Sequence, residues 1–200
     1  MLMQRRMKHV AFLSAACMLK DNPEARKDYW EYDLEISALA PACRDAGIEL
    51  VTRIWDDPDF DASQYDAAVI GTCWDYMQKP AAFEAALEAM AGKTRLLNPF
   101  ETFRWNLRKT YLKDLAARGA PMIPTLWADR ADAATIAGAF DALGSDDIVV
   151  KPVLGGGAWR QARIRRGEAL PAPEMLPIAE CMVQPFLPAV SQEGEYAFLF

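Results

Sequence analysis

Apolar residues along this chain recur with two periods, and the order in which the periods alternate sets the expected architecture. Residues 10–14 form a short continuous apolar run, which reads as a buried strand. The polar stretch 14–28 reads as a loop. Leu34, Leu39 and Cys43 then recur at helical spacing and predict a helix over 32–46. Within it Pro41 must kink the helix or withdraw a hydrogen bond, and Gly47 supplies a stop. Residues 48–55 alternate like a strand, and 56–63 form an acidic turn. Residues 67–72 are a further apolar strand, 81–91 a helix, and 95–97 a short strand closed by Asn98-Pro99. Strands and helices in alternation predict a parallel sheet covered by helices.

The pattern changes after Asn98-Pro99. One helix is expected over 100–119, basic in its first half through Arg104, Arg108, Lys109 and Lys113, and broken by Gly119-Ala120-Pro121. A strand at 122–127, a small-residue helix at 131–143 and a strong β-branched strand at 148–151 follow. Next come a glycine triplet, an Arg-rich segment, a turn containing Pro171, Pro173 and Pro177, and strands at 181–184 and 196–200. The expected fold class is therefore α/β. A parallel-sheet domain over 1–98 precedes an α+β domain over 99–200. A strand at the chain's end reads either as a fold that continues further or as a terminal strand held inside a sheet.

Composition narrows the functions. The formal net charge is -6, and the excess of acidic groups sits mainly in residues 1–100. An acidic chain is a poor general ligand for nucleic acid, whose binding rests on neutralising phosphates. A small anion in a local basic pocket remains open. Cys17, Cys43, Cys73 and Cys181 show no CxxC pair and no zinc-type spacing with the lone His9. They read as reduced, mostly buried thiols in a cytosolic protein. The basic stretch Gln4-Arg5-Arg6-Met7-Lys8 before an apolar run has the look of a signal peptide, but a lipobox ending at Cys17 would need an aliphatic residue where Ser14 stands. No stretch reaches the length of a membrane span.

Several motifs could carry chemistry. Gly92-Lys93-Thr94 resembles the tail of a P-loop, but Leu87 occupies the position that needs the first glycine. No GxGxxG fingerprint occurs. The most informative stretch is Ile148-Val149-Val150-Lys151-Pro152, followed by Gly155, Gly156 and Gly157. A lysine at the end of a buried strand is costly unless its ammonium reaches solvent or an anion. Glycines allow close backbone approach and present N–H groups to phosphate oxygens. Taken alone, these residues fit equally a strand-end lysine before a loose hairpin.

A second stretch, Val183-Gln184-Pro185-Phe186-Leu187-Pro188, leaves backbone polar groups open to an adenine edge. Because Pro185 cannot donate, Phe186 and Leu187 would supply them. Glu195, slightly further on, could hold ribose hydroxyls. A plain β-turn is the other reading. Thr72-Cys73-Trp74-Asp75-Tyr76 ends the 67–72 strand, at the sheet edge where ligands bind in open α/β folds. Trp74, Asp75 and Tyr76 are either a substrate surface or a helix-capping aspartate beside two packed aromatics. Arg160, Arg163, Arg165 and Arg166 read as an exposed basic face, of which one member could touch phosphate.

The order of these pieces resembles the ATP-grasp superfamily: Lys109 heading a helix, Lys151 on a strand, a glycine loop, a hinge, then an acidic residue. The likeness is to the glutathione synthetase and RimK-like branch, and it is specific from about Leu96 onward. It rests on Val149-Val150-Lys151-Pro152, on Gln184-Pro185-Phe186-Leu187-Pro188, and on Leu97-Asn98-Pro99 with Trp105 to Leu112. A Trp-Asp-Tyr run like Trp74-Asp75-Tyr76 occurs in relatives linked to cycloserine-type ligation. The resemblance implies a pre-ATP-grasp domain over 1–98 and the first part of an ATP-grasp nucleotide-binding domain over 99–200. It implies ATP contacts from Lys109, Lys151, Gly155, Gly156 and Gly157, and from Gln184, Phe186, Leu187 and Glu195. It also implies Mg²⁺, whose ligands in the family lie in later strands, beyond residue 200. Ala197 departs from the pattern, since many of these ligases carry a basic residue there.

The expected function is the ATP-binding part of an ATP-dependent carboxylate–amine (or thiol) ligase working through an acyl-phosphate. Its partners would be small carboxylate and amine substrates, with no nucleic acid and no membrane, and self-association is left open. The 200-residue chain by itself is expected to be inactive, for want of metal ligands. The alternative is a non-catalytic nucleotide-binding or regulatory module.

Overall fold

The computed structural model describes residues 7–194 and Tyr196, which fall into two compact units, Met1–Trp105 and Asn106–Phe200. Glu195 and, apart from Tyr196, the strand expected over 196–200 lie outside the described residues.

The first unit is built on a parallel sheet. Strand β1 (Lys8–Ser14), helix α1 (Trp30–Asp45), β2 (Ile48–Ile54), β3 (Ala67–Ile70), α2 (Pro80–Ala91) and β4 (Arg95–Leu97) follow in chain order. The sheet order is β2-β1-β3-β4, with every neighbouring pair parallel. Val10 pairs with Leu50 on one side and with Ala67 on the other. β1 therefore lies between two neighbours, which explains why five consecutive residues of it are buried rather than alternating. Helix α1 runs on through Pro41, and Gly47, at φ 73°, donates to the Arg44 carbonyl. Only a glycine takes up that left-handed conformation without strain.

Phe83, Leu87 and Met90, at helical spacing on α2, are buried in the core of this unit. Phe83 meets Trp55 edge-on at 4.8 Å, and Phe103 of the next helix, α3 (Phe100–Leu107), edge-on at 5.4 Å. Such pairs add about 0.5–1.5 kcal/mol each beyond area burial. Gly71, just beyond β3, faces the fully buried Phe12 ring so closely that a Cβ there would lie 2.1 Å from Phe12 Cζ.

The expected single helix over 100–119 is two helices. α3 ends at Leu107 and α4 spans Tyr111–Ala117. The chain between them, residues 108–110, is drawn into a bridge instead: Arg108 pairs with Leu154, and the Lys109 N–H donates to the Val153 carbonyl at 2.8 Å. A backbone partner from outside the helix displaces the i to i−4 bond, and helical propensity carries no information about that competition.

The second unit continues with β5 (Leu126–Ala128), α5 (Ala133–Leu143), β6 (Asp147–Pro152), β7 (Ala162–Arg165), β8 (Cys181–Pro185) and the short α6 (Pro188–Gln192). The sheet order is β5-β8-β6-β7, antiparallel throughout. Helix α5 is capped by Asp132, whose carboxylate accepts from the Thr135 N–H at 2.8 Å, and it ends at a left-handed Gly144. Its buried Ile136, Ala139 and Phe140 join Ile148, Val150, Ile164 and Val183 in one core. The molecule is thus α/β in its first unit and α+β in its second.

Candidate functional site

The alternation along β6 sorts its side chains between two faces. Ile148 and Val150 belong to the core against α5, so Val149 and Lys151 point to the opposite face. Cross-strand register adds neighbours to that second face: Lys151 pairs with Met182, Val149 with both Gln184 and Arg163, and Met182 with Trp127. The candidates Lys151 and Gln184 therefore share one face of the second unit's sheet. Gln184, at 4% exposure, donates from Nε2 to Thr125 Oγ1 at 2.9 Å, which satisfies its amide and fixes its orientation.

Lys109 reaches the same region from the break between α3 and α4. Its ammonium donates to the Gly155 carbonyl, next to the end of β6. Burial and then the nearby positive charge of Lys151 hold the Lys109 pKa below the usual lysine range. Two ammonium groups close enough to repel each other define a place where an anion is stabilised. Behind them, Arg108 and Glu180 form an ion pair, while the Val153 N–H donates to the Glu180 carbonyl. These contacts tie the 108–110 bridge to the chain leaving β6.

Gly155, Gly156 and Gly157 lie in the connection between β6 and β7. Gly155 (φ 151°) and Gly157 (φ 56°) have positive φ, as do Ala158 (φ 58°) and Arg160 (φ 50°). A Cβ at Gly157 would meet nothing within 4 Å, so glycine is favoured there by backbone conformation and not by crowding.

The hinge differs from its expectation in two respects. The Phe186 N–H is not open to a ligand: it donates to the Asp147 carbonyl at 2.8 Å and extends the β6–β8 ladder by one residue. Leu187 precedes α6, a helical turn where the sequence suggested only a Pro-bounded hinge, and its carbonyl accepts from the Val190 N–H. Pro188 at the first helical position favours that turn.

The arginine face is largely committed. Arg163 and Arg165 both meet Asp147, with Arg163 Nη2 at 2.6 Å from Asp147 Oδ2. Arg166 pairs with Asp141 and Asp146. Arg163 also lies 3.3 Å over the Phe186 ring, within the range of a cation–π contact. The hydrogen bonds from Arg163 hold the Asp147 carboxyl below its ordinary range. Arg163 was expected only as one of four arginines on an exposed basic face, and its contacts with Asp147 and Phe186 were not foreseen. The signal was present: Ala162-Arg163-Ile164-Arg165 alternates buried and exposed, which is a strand pattern. Lys113, on α4, lies 4.5 Å over the Trp127 ring and brings a further cation to this unit.

Trp74, Asp75 and Tyr76 lie in the first unit, past the carboxyl end of β3. Asp75 is not a helix cap. Lys79 holds the N-cap position of α2, and Asp75 accepts from Trp55 Nε1 at 2.7 Å and from Lys79 Nζ at 3.3 Å. The Arg26 guanidinium sits 5.7 Å from the Trp74 ring and is bidentate to Asp28. Tyr76 packs on Phe83, and burial raises its hydroxyl pKa. Beneath them Ser14 and Thr72, both buried, share a 2.8 Å hydrogen bond between β1 and the end of β3. Among the described residues no three His, Cys, Asp or Glu side chains converge as a metal site, and no helix is long and apolar enough to cross a membrane.

Comparisons with known proteins bear on both units. Residues 10–98 match the family described as the D-cycloserine synthetase DcsG N-terminal domain. The cycloserine biosynthesis protein DcsG of Streptomyces lavendulae is 33% identical over 176 residues, covering 84% of this chain and 59% of that protein. The crystal structure of D-cycloserine synthetase DcsG superposes with a TM-score of 0.78 at 30% identity, covering 93% of this chain and 62% of that one. An ATP-grasp RimK-domain protein from Sphaerobacter thermophilus shares the fold at a TM-score of 0.59 and 18% identity, covering 90% of this chain and 64% of that one. The chain is thus similar to DcsG in sequence and fold, and it shares its fold with ATP-grasp proteins. It spans about three fifths of the length of the DcsG relatives it matches. Within the ATP-grasp fold, the antiparallel sheet with Lys151 and the bridge carrying Lys109 form the second unit, and the matched DcsG-type domain is contained in the first.

Proposed function

We propose that the chain is the ATP-binding part of an ATP-dependent ligase that joins a carboxylate to an amine or a thiol through an acyl-phosphate. Residues 1–98 form its substrate-side domain, and residues 99–200 form the first part of its nucleotide-binding domain. The observation that carries the reading is the convergence of Lys109 and Lys151 beside Gly155, with the burial and mutual repulsion of the two ammonium groups depressing the Lys109 pKa.

Lys109 and Lys151 hold the ATP phosphates, and Gly155, Gly156 and Gly157 cover them with backbone N–H groups. The Phe186 carbonyl and the Leu187 N–H take the adenine edge, since the Phe186 N–H is committed to Asp147. Gln184 lines the same face, and Glu195 holds the ribose. In the reaction a substrate carboxylate oxygen attacks the γ-phosphorus and ADP leaves. The amine or thiol then attacks the acyl carbon, the carbon–oxygen bond to the phosphoryl group breaks, inorganic phosphate leaves with that oxygen and the electron pair, and the nucleophile's proton passes to solvent. The chain's own contribution is positioning and neutralisation of charge on the transferring phosphoryl group. Magnesium belongs to this chemistry, and none of the steps assigned to these residues runs through it. Trp74, Asp75 and Tyr76 face the substrate, with Asp75 acting as the hydrogen-bonded support of Trp55 and Lys79. Relatives named as cycloserine synthetases suggest a small amino-acid-derived substrate.

Calorimetric titration of ATP into wild type and Lys151→Ala tests the site. Saturable heat that the substitution weakens about tenfold or more supports it, a size expected for losing one ammonium–phosphate contact. Equal heats in the two proteins, or none in wild type, overturn it.

A further inference from the structure

The parallel sheet of the first unit has a topological switch between β1 and β3. From β1 the chain passes to β2 on one side, and β3 lies on the other. In open α/β sheets the crevice outside the carboxyl ends of two such strands is where ligands bind. Arg26 bridges the connections that leave these strands. Its N–H donates to the carbonyl of Cys17, just past β1, at 2.8 Å. Its guanidinium lies 5.7 Å from the centre of the Trp74 ring, just past β3.

The guanidinium is only partly used. Nε and one Nη2 hydrogen go to the two oxygens of Asp28, each at 2.8 Å. That engages one edge of the planar group. No described residue takes the other fork, Nη1 with the second Nη2 hydrogen. At 34% exposure the side chain is open to an incoming anion. An anion without a positive charge of its own is a poor match, however. The Asp28 hydrogen bonds raise the Arg26 pKa, and the charge of Glu31, in the first turn of α1, adds to that. Glu31 has no cationic partner at ion-pair distance among the described residues. Glu35, one turn further on, adds more of the same sign, its pKa raised by burial and then by Glu31. Asp75 and Lys79, the next charges at this edge, are paired with each other. One free bidentate donor fork thus stands beside an unpaired carboxylate, the complement of a ligand that carries both a carboxylate and an ammonium.

We propose that Arg26 and Glu31 determine substrate specificity in the first unit: the free fork of Arg26 takes the carboxylate of an amino acid zwitterion, and Glu31 takes its ammonium. The Trp74 ring backs the guanidinium. This rests on the reading of residues 1–98 as a substrate-side domain, and it adds which charges the substrate must carry together. A dicarboxylate would set its second charge against Glu31, and a simple amine would leave the Arg26 fork empty.

An NMR titration of the 200-residue chain, following the Trp74 indole N–H (assigned with Trp74→Phe), tests this with three probes. DL-alanine carries both charges, propionate lacks the ammonium, and ethylamine lacks the carboxylate. Wild type is expected to give a saturable shift with alanine, with an affinity about fivefold above that for propionate, and no shift with ethylamine. Arg26→Lys keeps the charge and loses the fork, and it weakens alanine binding about tenfold. Glu31→Gln weakens alanine about fivefold and leaves propionate no weaker, so the discrimination between the two probes is lost. The Trp55 indole N–H, held by Asp75, reports in the same spectra that each variant is folded. An absent response to alanine overturns the proposal, as does equal affinity for alanine and either of the other probes in wild type. So does wild-type affinity in Arg26→Lys, or a discrimination that survives Glu31→Gln. The solutions contain no nucleotide, so a protein that binds ATP and ignores alanine loses this assignment and keeps its ATP site.

Discussion

The ammonium of Lys109 donates to the carbonyl oxygen of Gly155, forty-six positions further along the chain. A carbonyl carries a partial charge and a phosphate oxygen a full one, so an incoming phosphate competes for this donor on favourable terms. Lys109→Met is therefore expected to weaken ATP binding about tenfold and to change AMP binding little. Parallel calorimetric titrations of the two nucleotides check this. An equal loss for both would place Lys109 away from the terminal phosphates.

The electrostatics of the pair predict a dependence of stability on pH. The Lys109 pKa is depressed in the folded state, first by burial and then by the Lys151 charge. The folded state thus binds its proton less tightly than the unfolded chain. The resulting penalty is fully present below the folded pKa and is relieved as pH rises from that value toward the unfolded lysine value. Lys151→Met removes the repulsive part. We expect it to raise the Lys109 pKa in a side-chain NMR titration and to raise the neutral-pH melting temperature slightly in the absence of polyanions.

Arg163 lies over the Phe186 ring while it holds Asp147. Arg163→Ala should release that ring and lower ATP affinity about two- to fivefold, the scale of a cation–π contact. Binding of inorganic triphosphate should be unaffected, because the lysines are untouched. Competition between the two ligands in variant and wild type measures the difference.

Gly71→Ala should be far more damaging than its size suggests. Its Cβ would lie 2.1 Å from Phe12 Cζ, and the Phe12 ring is buried on strand β1, so the ring or the backbone must shift within the core. Overpacking of this kind costs about 1–3 kcal/mol or more, which urea denaturation would reveal.

Asp75 and Asp56 both reach Lys79, and they should behave differently. Asp75→Ala leaves the N–H of the buried Trp55 without its acceptor and is expected to cost about 1–3 kcal/mol of unfolding free energy. Asp56→Ala removes only a surface ion pair, worth less than about 1 kcal/mol. Trp fluorescence during denaturation separates the two.

Much of the fold was legible in the residues. The strand–helix alternation in the first unit, the left-handed Gly47 and the strand holding Lys151 all follow from local pattern and backbone preference. The superfamily resemblance was also legible, because it rests on short local stretches kept in order. The break at residues 108–110 was not. Arg104 to Lys113 reads as continuous helix until Val153 and Leu154 compete for its backbone. The Phe186 N–H looked open for the same reason, since its acceptor, Asp147, lies on another strand.

By itself the sequence determined where strands and helices form, which faces are apolar, and which lysines and glycines could meet an anion. Those properties depend on neighbours within a few residues. Only the tertiary structure decided that Lys109 and Lys151 stand close enough to repel. It also decided that Asp147 gathers Arg163 and Arg165, and that Asp75 holds Trp55 instead of capping α2. Such facts depend on hydrogen bonds and charges between positions tens of residues apart. Distance along the chain places no limit on those contacts, and local propensity carries no record of them.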